Sequence, residues 1–170
     1  MAGLLNSFDL SGAVRPSDLE RMMRQSDAQA AGIDAVAAEL HRWAAEPFDL
    51  ALANCGLSVL AYVARVKGRL VPMWLRAFGR IGAGRLMRSD ALFQTVADRA
   101  LAEMGCARTL APRRGDVALV RLPGSGLTAC ICSRSASSRM PAMWAARGDR
   151  AAVIAAGELV QAWRVACRKR

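Results

Sequence analysis

The sequence predicts an α+β fold in which a helical N-terminal half packs on a small antiparallel sheet. Two observations predict it. Between Ser17 and Gly105 apolar residues recur at helical spacing, with capping residues at the starts and glycines at the ends. After Pro112 the pattern changes to short apolar runs, Val117 to Leu122 and Leu127 to Cys132, joined by Pro123-Gly124-Ser125-Gly126, the composition of a tight hairpin connection.

Residues 1 to 16 mix Gly, Ser, Asn and Pro with scattered apolar residues and read as an arm. Ser17-Asp18-Leu19-Glu20 matches a capping box after Pro16, so a leading helix starts there and weakens near Gly32. The expected domain boundary follows: an arm with a leading helix over 1–32, then one domain over 33–170. Ile33, Val36, Leu40 and Trp43 form an apolar stripe opposed by Asp34 and Arg42, giving a helix that ends before Pro47.

Asn54 is a good N-cap, and Cys55 opens a helix to Lys67 that is apolar nearly all round and ends at Gly68. Such a helix is a central, buried element. Met73 to Leu86, interrupted by Gly79, Gly82 and Gly84, predicts a loose or broken helix with a basic edge at Arg76 and Arg80. Ser89 caps a further helix, carried by Leu92, Val96, Ala100, Leu101 and Met104 and closed by Gly105. Pro112 to Asp116 is a turn into the first strand. Ser133 to Ser138 reads as an exposed loop. Ala142 to Ala146, Ala151 to Ala155 and Val160 to Val165 are further candidate strands, with alanines that equally suit helix.

Composition bounds the function. A chain of 170 residues with 54% hydrophobic content can bury a sizeable core in one domain. Its net charge of +10 predicts adsorption to anionic surfaces at low salt. Lys67 and Lys169 are the only lysines among 24 basic residues, however, and an Arg- and Ala-rich composition of this kind follows from GC-rich coding, so specific nucleic-acid binding is not expected. Five cysteines without even spacing argue against a disulfide framework and for a reducing compartment. No basic residue precedes Arg15, unlike a secretory signal, and the longest charge-free run, Leu50 to Ala64, is too short to span a bilayer. The expected protein is made and folded inside a cell, with no membrane span.

Cys55 is the candidate functional residue. On the first turn of a helix, a thiol meets amide groups and the positive end of the dipole, which favour its thiolate; the alternative is a small buried cysteine at a helix start. A cysteine nucleophile needs a base, and His41, the only histidine, lies off the apolar stripe of its helix and reads as a surface residue. Cys130 and Cys132 share a strand face, but no second close pair of Cys or His completes a zinc site, so no metal is expected. The glycine-rich tracts lack the lysine of a phosphate loop, so no nucleotide and no other cofactor is expected.

A run of helices with a cysteine opening the central one, followed by Gly115-Asp116-Val117 and a small sheet, resembles the NlpC-type cell-wall cysteine peptidases, a reduced papain-like fold. More closely, Pro47-Phe48, Asn54-Cys55, Gly115-Asp116-Val117 and Ala162-Trp163-Arg164-Val165 look like a phage-associated group, domain-of-unknown-function family 6950, itself similar to those peptidases. The likeness covers about residues 36 to 166. It implies that Cys55 stands at the nucleophile position and that Thr128, in Thr128-Ala129-Cys130-Ile131-Cys132, stands where the peptidases carry a histidine on the second strand. Threonine cannot take a proton from a thiol at useful pH. The family's glycine before the cysteine is Ala51 here, and its usual aspartate is Asn54.

The expected function is therefore a non-catalytic structural or assembly component of a phage-like tail, at the tip or hub, built on a degenerate NlpC-like domain. Its partners would be other tail or hub proteins and its location the bacterial cytoplasm during assembly, then the particle. The alternative is an active thiol hydrolase of peptidoglycan peptides with Cys55 as nucleophile and a base outside the family pattern, His41 being the only imidazole in the sequence.

Overall fold

The computed structural model describes residues 34–46, 48–49, 54–76, 79–86, 88–149 and 151–165, with side chains undescribed at 76, 79–81 and 83. The arm and leading helix expected over 1–32, and the basic tail, lie outside these residues, as do the side chains of the proposed Arg76 and Arg80 edge. Among the described residues five helices precede six strands: α1 (Ala35–Ala45), α2 (Cys55–Lys67), α3 (Met73–Arg76), α4 (Gly79–Leu86), α5 (Asp90–Glu103), then β1 (Ala107–Thr109), β2 (Val117–Leu122), β3 (Gly126–Arg134), β4 (Met143–Arg147), β5 (Ala152–Ala155) and β6 (Glu158–Arg164). The fold is α+β.

Capping chemistry places the helices. Asp34, Asn54 and Ser89 each accept a backbone N–H from the first turn, from Val36 at 3.0 Å, Leu57 at 2.9 Å and Leu92 at 3.3 Å. Gly68 ends α2 with φ at 63°, the left-handed geometry of a C-cap. The glycine-interrupted segment after Pro72 forms two short helices, α3 and α4.

All strand pairs are antiparallel, in the order β1-β6-β2-β3-β4-β5. The three-residue β1, exposed and unpatterned, carries no sequence signal of its own; it exists because β6 offers it a partner. β3 runs on to Arg134, so Ser133 is buried and donates to the Met143 carbonyl at 3.0 Å, and the expected exposed loop begins only at Ser135. The alanine-rich segments are strands β4 and β5.

The sheet is strongly curled. β5 and β6 stand four positions apart, about 19 Å if the sheet were flat. Ala156 and Gly157 alone connect them, and the step from Ala155 to Glu158 reaches at most about 11 Å. The connection crosses the face carrying Val120 and Leu122: a Cβ on Gly157 would lie 2.6 Å from Val120 Cγ1 and 3.0 Å from Leu122 Cδ2. This concave face buries Ala118, Val120, Cys130, Cys132, Trp144, Ala146 and Ala162. Small side chains dominate because the interior of a narrow, curled sheet has little room.

The other face holds the main core. Val117, Leu119, Ala129, Ile131 and Trp163 meet Val59, Tyr62 and Val63 of α2, with Leu40 and Trp43 of α1 and Leu101 of α5 around them. The α2 helix is buried as its all-round apolarity predicts. Tyr62 ties it to the sheet by donating to the Gly115 carbonyl at 3.0 Å. Glu39, unremarkable in the sequence, is 2% exposed on α1 and accepts from Arg65 of α2 and Arg42. Arg147 of β4 is buried likewise, donating to Ser58 Oγ at 3.1 Å and to the Glu46 carbonyl at 2.9 Å.

Candidate functional site

Helix α2 points its N-terminus at β3, and Cys55 is the residue that arrives there. The Cys55 sulfur faces the backbone N–H of Ala129. Three backbone groups, those of Ala129, Gly56 and Cys55 itself, favour the thiolate, but burial outweighs them and pushes the thiol up. Desolvation wins over amides and dipole, and the thiol is held protonated, as for a small buried cysteine at a helix start. Asn54, at the position of the family's aspartate, is engaged as the N-cap.

Thr128 borders the same pocket as Cys55 but does not aim at it. It pairs with Val120, whose side chain lies on the concave face, and donates its hydroxyl to the Gly126 carbonyl at 3.3 Å. Side chains alternate along a strand, so Leu127 and Ala129 are the residues that β3 presents to the helices. Thr128, which the resemblance lays on the peptidases' histidine position, therefore shares the face of Val120, while Leu127 and Ala129 on the helix-facing side are aliphatic. Neither can move a proton.

Cys130 and Cys132 project into the concave interior, fully buried, with their thiols against the Thr128 and Arg134 carbonyls. Burial raises both, Cys132 to about 11. No group of three or more His, Cys, Asp or Glu that could hold a metal occurs among the described residues. His41 is exposed on α1. Among the described residues no helix is long and apolar enough to cross a membrane.

The pocket beside Cys55, part-open to solvent, has a volume of about 170 Å³ between α2, α5 and the sheet. Its floor is Val117, Leu119, Leu101 and Trp163, and its rim carries Ser125 and Thr128.

The Gly-Asp-Val motif has a structural role that sequence spacing could not disclose. Asp116 is buried; one carboxylate oxygen accepts the Arg113 N–H at 2.8 Å, the other the Val165 N–H at 2.9 Å, and Arg164 Nε stands 3.7 Å away. The motif therefore joins the entry of β2 to the end of β6. Gly115, with φ at 90°, brings the turn against Tyr62: a Cβ there would sit 3.1 Å from its hydroxyl.

A family model described as domain of unknown function DUF6950 matches residues 28–165. The chain belongs to this family. No curated protein and no solved structure matches it. The DUF6950 match takes in α1 through β6, including Cys55, the Gly-Asp-Val turn and the Trp163 segment that carried the resemblance.

Proposed function

We propose that the protein is a non-catalytic structural or assembly component of a phage-like tail, at the tip or hub, built on a degenerate NlpC-like domain. One observation carries the non-catalytic part: the thiol at the nucleophile position is held protonated by burial and faces Leu127 and Ala129, not a base. An NlpC ancestry is supported by the arrangement itself, a cysteine opening the central helix against an antiparallel sheet. The phage-tail part rests on the sequence resemblance. In this reading the protein assembles in the bacterial cytoplasm, travels in the particle, and the segment over 1–32 is available for contact with neighbouring tail or hub proteins. Replacing Cys55 by Ala in the particle is expected to leave both tail assembly and infectivity unchanged. Intact tails that no longer infect would overturn the proposal.

A second reading, a thiol hydrolase acting on peptidoglycan peptides, is favoured by one feature: the amide groups of Ala129 and Gly56 beside the Cys55 sulfur, which in a working enzyme would steady a thiolate. Iodoacetamide labelling separates the two. Cys55 carbamidomethylation that proceeds at pH 6 as fast as at pH 8 would establish a thiolate nucleophile; slow labelling that climbs only above the ordinary thiol range of about 8.5 supports the structural role.

A further inference from the structure

Every side chain on the floor of the pocket beside Cys55 is hydrocarbon or indole, and the polar groups nearby are already engaged. Asn54 caps α2, and Thr128 donates to the Gly126 carbonyl. Trp163 offers its indole N–H not to the pocket but to Asp98, at 3.1 Å. Ser125 is exposed at the rim. A peptide or sugar drawn into this space would leave amides or hydroxyls without partners, an unfavourable exchange for groups that water would otherwise satisfy. A closed apolar cavity of about 150 Å³ takes a benzene-sized guest, and this pocket, open at its rim, matches it in size at about 170 Å³.

We infer that the pocket between α2, α5 and β3 is a binding site for an uncharged hydrocarbon group the size of a benzene ring or a six-carbon chain, with the Cys55 thiol as part of its wall. The inference goes beyond the assembly role and does not depend on it. A tail protein, a hydrolase or neither could carry such a site, because only the shape and apolarity of the cavity are used. Ala97 of α5 lines the same space and is the position from which the cavity can be filled.

The test uses the full chain with toluene or 1-hexanol as probe. Saturable binding is expected, and at ten times the dissociation constant it should raise Tm by about 3–5 °C for a chain of this size. The Ala97→Leu variant places a side chain in the cavity and should lose this shift while keeping the far-ultraviolet dichroism of the parent. In the parent chain, saturating toluene should also slow methylthiolation of Cys55 by methyl methanethiosulfonate, which forms the S-methyl mixed disulfide and releases methanesulfinate, at least five-fold, read by peptide mass spectrometry; this measurement needs no variant. Absence of a toluene-dependent Tm shift in the parent, an equal shift in folded Ala97→Leu, or Cys55 modification indifferent to toluene would each overturn the inference. None of these results would bear on whether Cys55→Ala tails infect, so the two proposals fail separately.

Discussion

Gly157 is the residue at which the curl of the sheet can be tested by a single methyl group. A Cβ there would lie 2.6 Å from Val120 Cγ1 and 2.7 Å from the Arg121 carbonyl, so Gly157→Ala is expected to cost about 1–3 kcal/mol, seen as a lower midpoint in urea. Gly84, in α4, has nothing within 4 Å of the same atom, and Gly84→Ala should stabilise by about 0.5–1 kcal/mol through the unfolded chain. Sequence sets Gly84 in a glycine-broken helix and Gly157 between two candidate strands, but it does not say which of them a methyl group would crowd. What separates them is the approach of β2, a contact between residues far apart in the chain. The same holds for Cys55. Its place on the first turn of a central helix was readable from Asn54 and the apolar run, but its protonation was not, because the burial that decides it comes from the sheet. The facing of Thr128 was equally hidden, since a strand's alternation is known only when its pairing with Val120 is known.

At the scale of elements, one carboxylate of α5 gathers two strands onto the helix. Asp98 accepts from Trp163 Nε1 at 3.1 Å, Gln161 Nε2 at 2.9 Å and Arg108 Nε at 2.9 Å, gathering β6 and β1 onto the helix. The Arg108 guanidinium, followed by the Trp163 and Gln161 donors, holds its carboxyl below the usual carboxylate range. Asp98→Ala leaves the buried Trp163 N–H without an acceptor and should cost about 1–3 kcal/mol in urea denaturation. A lowered native pKa means that the contribution of Asp98 is present above about pH 4 and fades as pH falls below it, so parent and variant should converge in stability toward pH 2. The helices themselves were legible because each carries its caps and period locally. β2 and β3 were legible for the same kind of reason, their turn composition. β1 was not, and the boundaries of β3 and β6 shifted by one or two residues, because strand ends are set by what lies alongside them.

The whole molecule stores thiols in its interior, and its response to alkali should show this. Burial pushes Cys55, Cys106, Cys130 and Cys132 up, Cys132 to about 11. In the unfolded chain each ionises near about 8.5, so above that pH the unfolded state binds fewer protons and stability falls, by as much as about 1.4 kcal/mol per pH unit for each thiol that stays protonated in the fold. Denaturation midpoints measured between pH 8 and 10.5 should drop steadily, and Cys132→Ala should make the drop shallower even as it lowers stability at neutral pH. The α+β class was readable from the change of pattern after Pro112, whereas the curl was not: it follows from strand order, and no local feature of Ala156-Gly157 announces how far the chain must travel. That order has a consequence for biosynthesis. Among the described residues β1 pairs with β6 alone, and β6 fills the gap between β1 and β2, so the last of these six strands to be made is the one that completes the sheet. Until residues 158–164 have been translated, the inner edge of β2 and the whole of β1 lack the strand that pairs them.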